Sequence, residues 1–297
     1  MSVHEPVLLA EAIQALAIIP AGHYVDCTLG RGGHARAMLE RGADVLGIDA
    51  DPEAVAGMHS SIRAVRANFD QLERVVTEIH FDPLQGVLFD LGLSSPQLEE
   101  ASRGFSFRLE GPLDMRFDLA QPETAERLVN TRSADELSRI FRDYGEEPQA
   151  RKMARAVERS RREAPIRTTT QLAQLIEQAA GGRGKIHPAT RIFQALRIAV
   201  NRELERLESA LPQAVKLLAR GGRLVVISFH SLEDRLVKRF ILRETRDCVC
   251  PPRTPVCVCA HRATLKAINR RPILPGAEEL AHNPRARSAK MRVAERI

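Results

Sequence analysis

The sequence predicts an α/β fold: a Rossmann-like sheet of mostly parallel strands, interrupted by an all-helical insertion. Three observations carry this. Short apolar runs alternate with helical patterns over the first ninety residues. The alternation stops from about Arg103 to Leu211, where no strand pattern stands out. It resumes at Gly221-Gly222. Strand–helix alternation with tight connections is the mark of parallel βαβ units.

Val7 to Ile19 reads as an apolar helix stopped at Pro20, and His23 to Thr28 as a first strand. A glycine cluster then leads into a helix ending near Arg41. Asp44 to Asp49 is a second strand. Asp51-Pro52 opens the next helix, with Asp51 as N-cap and Pro52 at the first helical position. Ile62 to Ala67 is a third strand, Gln71 to Ile79 a helix, and Gln85 to Asp90 a fourth strand. The insertion begins with a loop rich in Gly, Pro and Phe, Arg103 to Asp118. In one of its helices Ala150, Met153, Ala154 and Val157 recur at helical spacing, with Arg151, Lys152, Arg155 and Arg159 between them. A longer helix starting near Pro188 puts Ile192, Leu196, Val200, Leu204 and Leu207 on one face. Between them Gly181 to Lys185 reads as a flexible basic loop. After the insertion come a strand, Arg223 to Phe229, and a helix, Ser231 to Leu242. Ser231 is the expected cap of that helix, with acids at its positive end. Leu265 to Asn269 and Ser288 to Glu295 are the expected last strands. This divides the chain into a discontinuous domain, 1–104 and 211–297, and a helical insertion, 105–210.

Composition narrows the function classes. Hydrophobic residues make up 44% of the 297 and charged residues 28%, which excludes collagen-like and disordered chains. No apolar run nears the roughly 20 residues of a membrane span, so no membrane partner is expected. The first Lys or Arg is Arg31, so the basic start of a secretory signal is missing. Five cysteines in this length are no disulfide framework, and a reducing, cytoplasmic setting is expected. The net charge of +6 is unevenly spread. Residues 151–206 hold 13 Lys or Arg against 5 Asp or Glu, and residues 261–297 hold 9 against 3. Two basic segments on an acidic body fit a polyanionic partner such as nucleic acid. An arginine-rich set of solvated helix faces fits the same counts.

The segment Asp26-Cys27-Thr28-Leu29-Gly30-Arg31-Gly32-Gly33-His34 falls where the first strand passes into a helix. Glycines let the backbone turn sharply and approach a ligand, and a helix start offers free N–H groups. Asp49 closes the second strand, where a carboxylate can accept both hydroxyls of a ribose. Gly30-x-Gly32-x-x-Ala35 fits the dinucleotide fingerprint, and fits equally the looser glycine loop of S-adenosylmethionine-dependent methyltransferases. Asp90 ends the fourth strand and runs into Leu-Gly-Leu-Ser-Ser-Pro-Gln, an acid and loop unusual in nicotinamide enzymes.

Taken in order, DCTLGRGGH (26–34), GIDADP (47–52), the stretch from Phe89 to Asp118, ISFHSLEDRLVKRF (227–240) and NPRARSAKMR (283–292) closely resemble the 16S rRNA (cytosine-N4)-methyltransferase family, RsmH/MraW. The opening His4-Glu5-Pro6-Val7-Leu8-Leu9 and FQALRIAVNREL (193–204) are similar to it too, so the resemblance runs nearly end to end. It implies a class I methyltransferase sheet, S-adenosyl-L-methionine as cofactor, and a cytidine in the decoding region of 16S rRNA, in the 30S subunit, as substrate. It also implies that Gly32, Gly33 and His34 line the methionine part of the cofactor, that Asp49 holds the ribose and that Phe69 packs on the adenine. Asp90 and Gln97 would complete that site.

The chemistry adds its own demands. The exocyclic amine of cytosine is a weak nucleophile, because its lone pair is delocalised into the ring. Its N–H groups must be accepted and its nitrogen held in line with the methyl. Backbone carbonyls and hydroxyls near Ser94, Ser95 and Pro96 are the candidate acceptors, with Phe105 or Phe107 for base stacking. His230, just past the fifth apolar strand, is a further catalytic candidate, or else shapes the helix start. Asp114 and Arg116 either bind RNA phosphate or lock the insertion, the locking role being favoured for Asp114. Arg285, Arg287 and Lys290 suit phosphate contacts or a charged edge strand. Cys248, Cys250, Cys257 and Cys259 form two CxC pairs able to hold a structural zinc, whereas Cys27 reads as a small core residue.

Overall fold

In a computed structural model of the chain, residues 6–181, 187–251, 254 and 256–297 are described, apart from the side chains of Ser95 and Pro96. The loop expected at 181–185 therefore lies outside the described residues, except for Gly181. Two compact units emerge, one from Met1–Gly92 and Leu204–Ile297, the other from Leu93–Glu203.

The first unit opens with α1 (Leu9–Leu16), β1 (His23–Asp26), α2 (Gly33–Glu40) and β2 (Asp44–Asp49), followed by α3 (Pro52–Ala56), β3 (Arg63–Arg66), α4 (Leu72–Glu78) and β4 (Leu84–Asp90). α1 is shorter than its apolar run, because Leu8 and Ala17 at its two ends are left-handed, with φ of 53° and 48°. α3 starts as expected: Asp51 accepts a hydrogen bond from the Glu53 N–H, and Pro52 follows.

The second unit is helical: α5 (Ser95–Glu99), α6 (Ala125–Thr131), α7 (Ala134–Asp143), α8 (Ala150–Glu163), α9 (Thr169–Ala180) and α10 (Ala189–Asn201). The chain then returns through α11 (Glu203–Leu217), β5 (Leu218–Ser228), α12 (Ser231–Glu244), β6 (Leu265–Ala267), α13 (Ala277–His282) and β7 (Lys290–Arg296).

The seven strands form one sheet in the order β3-β2-β1-β4-β5-β7-β6. β1 to β5 pair in parallel, while β7 runs antiparallel to both β5 and β6. The Rossmann-like α/β sheet expected from the alternation is present. Its strands are covered on both faces, which is why β4 and β5 read as near-continuous apolar runs rather than alternating ones. On one face Leu72, Val75 and Val76 of α4, Leu211 and Ala214 of α11 and Phe240 of α12 pack on the strands. On the other, Ile13 and Leu16 of α1 and Ala35 and Met38 of α2 do so.

The second unit starts and ends earlier in the chain than the 105–210 insertion. Leu93 and Leu98 already pack on the helical core, whereas Leu207, Ala210 and Leu211 belong to the sheet's core. The single long helix expected from Pro188 is two. Arg202 adopts a left-handed conformation (φ 51°, ψ 41°), and the ladder breaks there. The apolar stripe is thereby shared: Ile192, Leu196 and Val200 face one core and Leu207 the other.

Asn201 fixes the end of α10. Its amide donates to the carbonyls of Met115 (2.7 Å) and Arg197 (2.9 Å), and its Oδ1 accepts from the Phe117 N–H at 2.8 Å. Asn201→Ala strips the partly buried Phe117 N–H and the buried Met115 carbonyl of their partner. Urea unfolding followed by circular dichroism should show a loss of about 2–4 kcal/mol.

Candidate active site

The sheet order reverses between β1 and β4, so a crevice opens at the carboxyl ends of β1, β2 and β4. One aspartate closes each strand: Asp26, Asp49 and Asp90. The loop after β1 is shaped by its glycines. Gly32 has φ 71°, and a Cβ there would sit 2.7 Å from Met58 Sδ. A Cβ on Gly33 would fall 2.2 Å from Pro6 Cγ, an impossible approach, so the loop carries no side chain where α2 begins. Asp49 braces the loop: Oδ2 accepts from the Gly30 N–H at 2.8 Å and Oδ1 from the Asp51 N–H at 2.9 Å.

Thr28 links the other two acids. Its N–H donates to Asp26 Oδ1 at 3.1 Å, and its Oγ1 accepts from the Asp90 N–H at 2.7 Å. Burial pushes the Asp26 carboxyl up to about 7, helped by the Asp49 charge and opposed by the Thr28 N–H. Burial also raises Asp90 well above its ordinary value, with the charges of Asp26 and Glu233 adding to it. Asp49 is raised more weakly, because the N–H groups of Asp51 and Gly30 stabilise its ionised form. His34 is buried on α2, with Nε2 3.2 Å from the Val7 carbonyl and Nδ1 3.7 Å from Asp90 Oδ2. Phe69 lies in a short turn after β3, edge-on to Phe89 at 5.8 Å. The structure thus gathers Gly32, Gly33, His34, Asp49 and Asp90 around one strand switch. Cys27 is buried, as a core residue should be.

His230 is the N-cap of α12, a place expected for Ser231. Its Nδ1 accepts from the Glu233 N–H at 3.4 Å, and its Nε2 lies 3.1 Å from Glu233 Oε1. Glu233 Oε2 in turn accepts from the N–H groups of Phe229 (2.8 Å) and His230 (3.2 Å). This reciprocal box holds the imidazole at the helix start. Imidazole nitrogen and carboxylate both reach N–H groups at the helix start.

In the helical unit the Ser94 N–H donates to Gln97 Oε1 at 3.1 Å, and Gln97 is buried. The Ser95 side chain lies outside the described residues. Phe105, a candidate base-stacking ring, is instead core: it is buried and stacks on Phe117 at 5.4 Å. Phe107 packs between His187 (4.8 Å) and Phe193 (5.3 Å), inside the same unit. Arg116 clasps Asp114 with two bonds of 2.8 and 2.7 Å, and donates to the carbonyls of Leu119 and Gln121. That pair locks its own loop. Arg285 and Arg287 are exposed in a 3-10 turn, and Lys290 Nζ is 3.6 Å from Asp234 Oδ2.

The sequence reading missed three contributors. Asp26 and Thr28 lie in the 26–34 segment and Glu233 in the 227–240 segment, but none was given a role at the site. The available signals were polar residues at the end of an apolar strand for Asp26 and Thr28, and an acid in the first turn of a helix for Glu233.

A model of the MraW methylase family matches residues 1–297. The chain belongs to this family. "Ribosomal RNA small subunit methyltransferase H" of Thermomicrobium roseum is 55% identical, covering 99% of this chain and 94% of that protein. Proteins of the same name from Dehalococcoides mccartyi (strain 195) and Halothermothrix orenii are 54% and 48% identical, covering 99% of this chain and 86% and 98% of theirs.

For a methylase of this family the crevice has the right donor set for S-adenosylmethionine. That cofactor carries a sulfonium, an ammonium, a carboxylate and a ribose diol. Three clustered carboxylates suit its cations and hydroxyls, and the side-chain-free start of α2 suits its carboxylate. Asp90 Oδ1 is buried with no hydrogen-bond partner, an acceptor left over by the protein's own bonding.

Proposed function

We propose that this chain transfers a methyl group from S-adenosyl-L-methionine to the exocyclic N4 of a cytidine in the decoding region of 16S rRNA, on the 30S subunit, in the cytoplasm. The reading rests on the acids of β1, β2 and β4 around the glycine loop, with the orphaned Asp90 Oδ1 as the observation that carries it. The relatives' name supports small-subunit rRNA as substrate. The resemblance of the ordered set of motifs, from residues 26–34 through 283–292, supports the N4 position.

When bound, the cofactor supplies an electrophilic methyl on a sulfonium. The residues of this chain do the rest. Gly32 and Gly33 let Met58 and Pro6 pack against the turn and so set the loop that, with His34, lines the methionine end. Asp49 accepts the ribose hydroxyls and Phe69 offers a ring to the adenine. Asp90 presents a carboxylate to the cationic end, and Gln97 completes the site. Ser94 and Ser95, four and five residues beyond Asp90, accept the amine hydrogens and turn the nitrogen lone pair toward the methyl. His230 acts through the start of α12. The proton released from N4 passes to solvent water.

The helical unit offers a surface for RNA. On α8 Arg151, Lys152, Arg155, Arg159 and Arg162 are exposed, while Met153, Ala154 and Val157 are buried. Such a row neutralises phosphates without reading sequence.

Labelled S-adenosylmethionine and 30S subunits from cells lacking the activity test the reading, with protein-free 16S rRNA in parallel. Nucleoside mass spectrometry should find N4-methylcytidine on the subunits. A methyl on another atom overturns the N4 assignment, and no label on either RNA overturns the substrate. Ser94→Ala combined with Ser95→Ala should lower turnover about tenfold or more at unchanged cofactor affinity. Unchanged turnover removes the hydroxyls from the mechanism.

A further inference from the structure

The four cysteines between α12 and β6 serve no step of that reaction, yet the fold brings them together. The neck of their segment is tied. The Thr264 N–H donates to the Glu244 carbonyl at 2.8 Å, Thr264 Oγ1 to Glu244 Oε2 at 2.7 Å, and the Ala263 N–H to Asp247 Oδ1 at 3.2 Å. Beyond the neck apolar burial does not hold the chain, since Val256 and Val258 are 72% and 81% exposed. Even so, one sulfur from each of Cys248, Cys250, Cys257 and Cys259 lies within 4.8 Å of all the others.

The separations discriminate between chemistries. Cys257 and Cys259 sulfurs are 3.5 Å apart, Cys248 and Cys259 3.8 Å, and Cys250 and Cys257 4.0 Å. A disulfide needs about 2.05 Å, and all four cysteines are free. Four thiolates about 2.3 Å from one zinc ion form a tetrahedron with edges of about 3.8 Å, the spacing found here. The backbone contributes crosswise. The Val249 N–H donates to Cys259 Sγ and the Val258 N–H to Cys250 Sγ, each at 3.4 Å. The middle residue of each CxC pair thus points its amide at a sulfur of the other pair, which stabilises sulfur carrying negative charge.

We propose that Cys248, Cys250, Cys257 and Cys259 bind one zinc ion as a closed tetrathiolate site that holds the segment between α12 and β6 in shape. Binding forms four Zn–S bonds and releases the four thiol protons to solvent, and no electrons move. All four positions are filled by protein, so the ion is structural. A tetrahedral all-sulfur donor set selects zinc over magnesium or calcium, which take oxygen ligands.

Metal analysis of the full chain, untagged, purified under reductant and without chelator, tests this. One zinc per chain is expected. The Cys257→Ser, Cys259→Ser double variant should carry none, and Cys27→Ser should keep its full share. Cobalt(II) in place of zinc should give the intense visible absorption of a tetrahedral thiolate complex, lost in the double variant. Chelation should speed proteolytic cleavage between residues 245 and 264 about tenfold or more, reversed by zinc, with the remaining chain intact. Clearly substoichiometric zinc after expression in zinc-supplemented medium overturns the site. So does zinc that survives the double substitution, or a mass deficit showing disulfides in the reduced preparation. Metal content is read without methyl transfer, so failure here leaves the proposed reaction standing, and the converse.

Discussion

Asp49→Ala is expected to weaken S-adenosylmethionine binding about a hundredfold, with far-ultraviolet circular dichroism unchanged. Asp49 sits at the carboxyl end of β2, where both its oxygens already accept backbone N–H groups and are aimed by them. A ribose diol donating to this carboxylate gains two charge-assisted hydrogen bonds of about 1.5–3 kcal/mol each. Part of that gain replaces hydration, so about 3 kcal/mol, or two orders of magnitude in Kd, is the net loss. Asp49→Asn keeps an acceptor in place and should lose about tenfold. Isothermal titration reads both, and NAD titrated into the wild type should give no heat. Wild-type affinity in Asp49→Ala would remove this residue from the cofactor site, and binding of NAD would return the loop to the dinucleotide fingerprint.

The second large effect is on stability. Below about pH 4 Asp26 carries a proton in both the native and the unfolded chain. As pH rises, the unfolded chain gives it up near 3.8, while the native chain holds it until about 7. Native protein therefore binds more protons across that window, and stability falls with rising pH until about 7, then levels. A shift of that size is worth about 4 kcal/mol. In Asp26→Asn the side-chain oxygen can still accept from Thr28, but nothing ionises. Denaturant unfolding without cofactor should find the variant's advantage larger at pH 8 than at pH 5 by about 2–3 kcal/mol. An equal difference at both pH values would show that Asp26 titrates normally. A carboxylate cluster that destabilises the free protein is a reason for it to bind a cationic cofactor tightly.

Some of this was legible in the residues, because the signals were local. β2 and the Asp51-Pro52 helix start were read to the residue, since an apolar run ending in acid and an Asp-Pro cap depend only on their neighbours. The glycine loop, Asp49 and Asp90 were found the same way, each at the end of an apolar strand. Phe105 was offered for base stacking because composition shows only that aromatics are scarce, not which core needs them. Ser231 was taken as a cap because hydroxyls cap helices, but the Glu233 carboxylate selected His230 instead.

The sequence by itself determined the sheet, the strand ends and two of the three acids there, Asp49 and Asp90, because hydrophobic period and turn chemistry act over a few residues. Only the tertiary structure decided that α10 and α11 part at Arg202, that Thr28 ties Asp26 to Asp90, and that four sulfurs separated by a proline-rich stretch converge at tetrahedral spacing. Those outcomes depend on which distant backbones meet, and burial then sets what a carboxylate or a thiol does there.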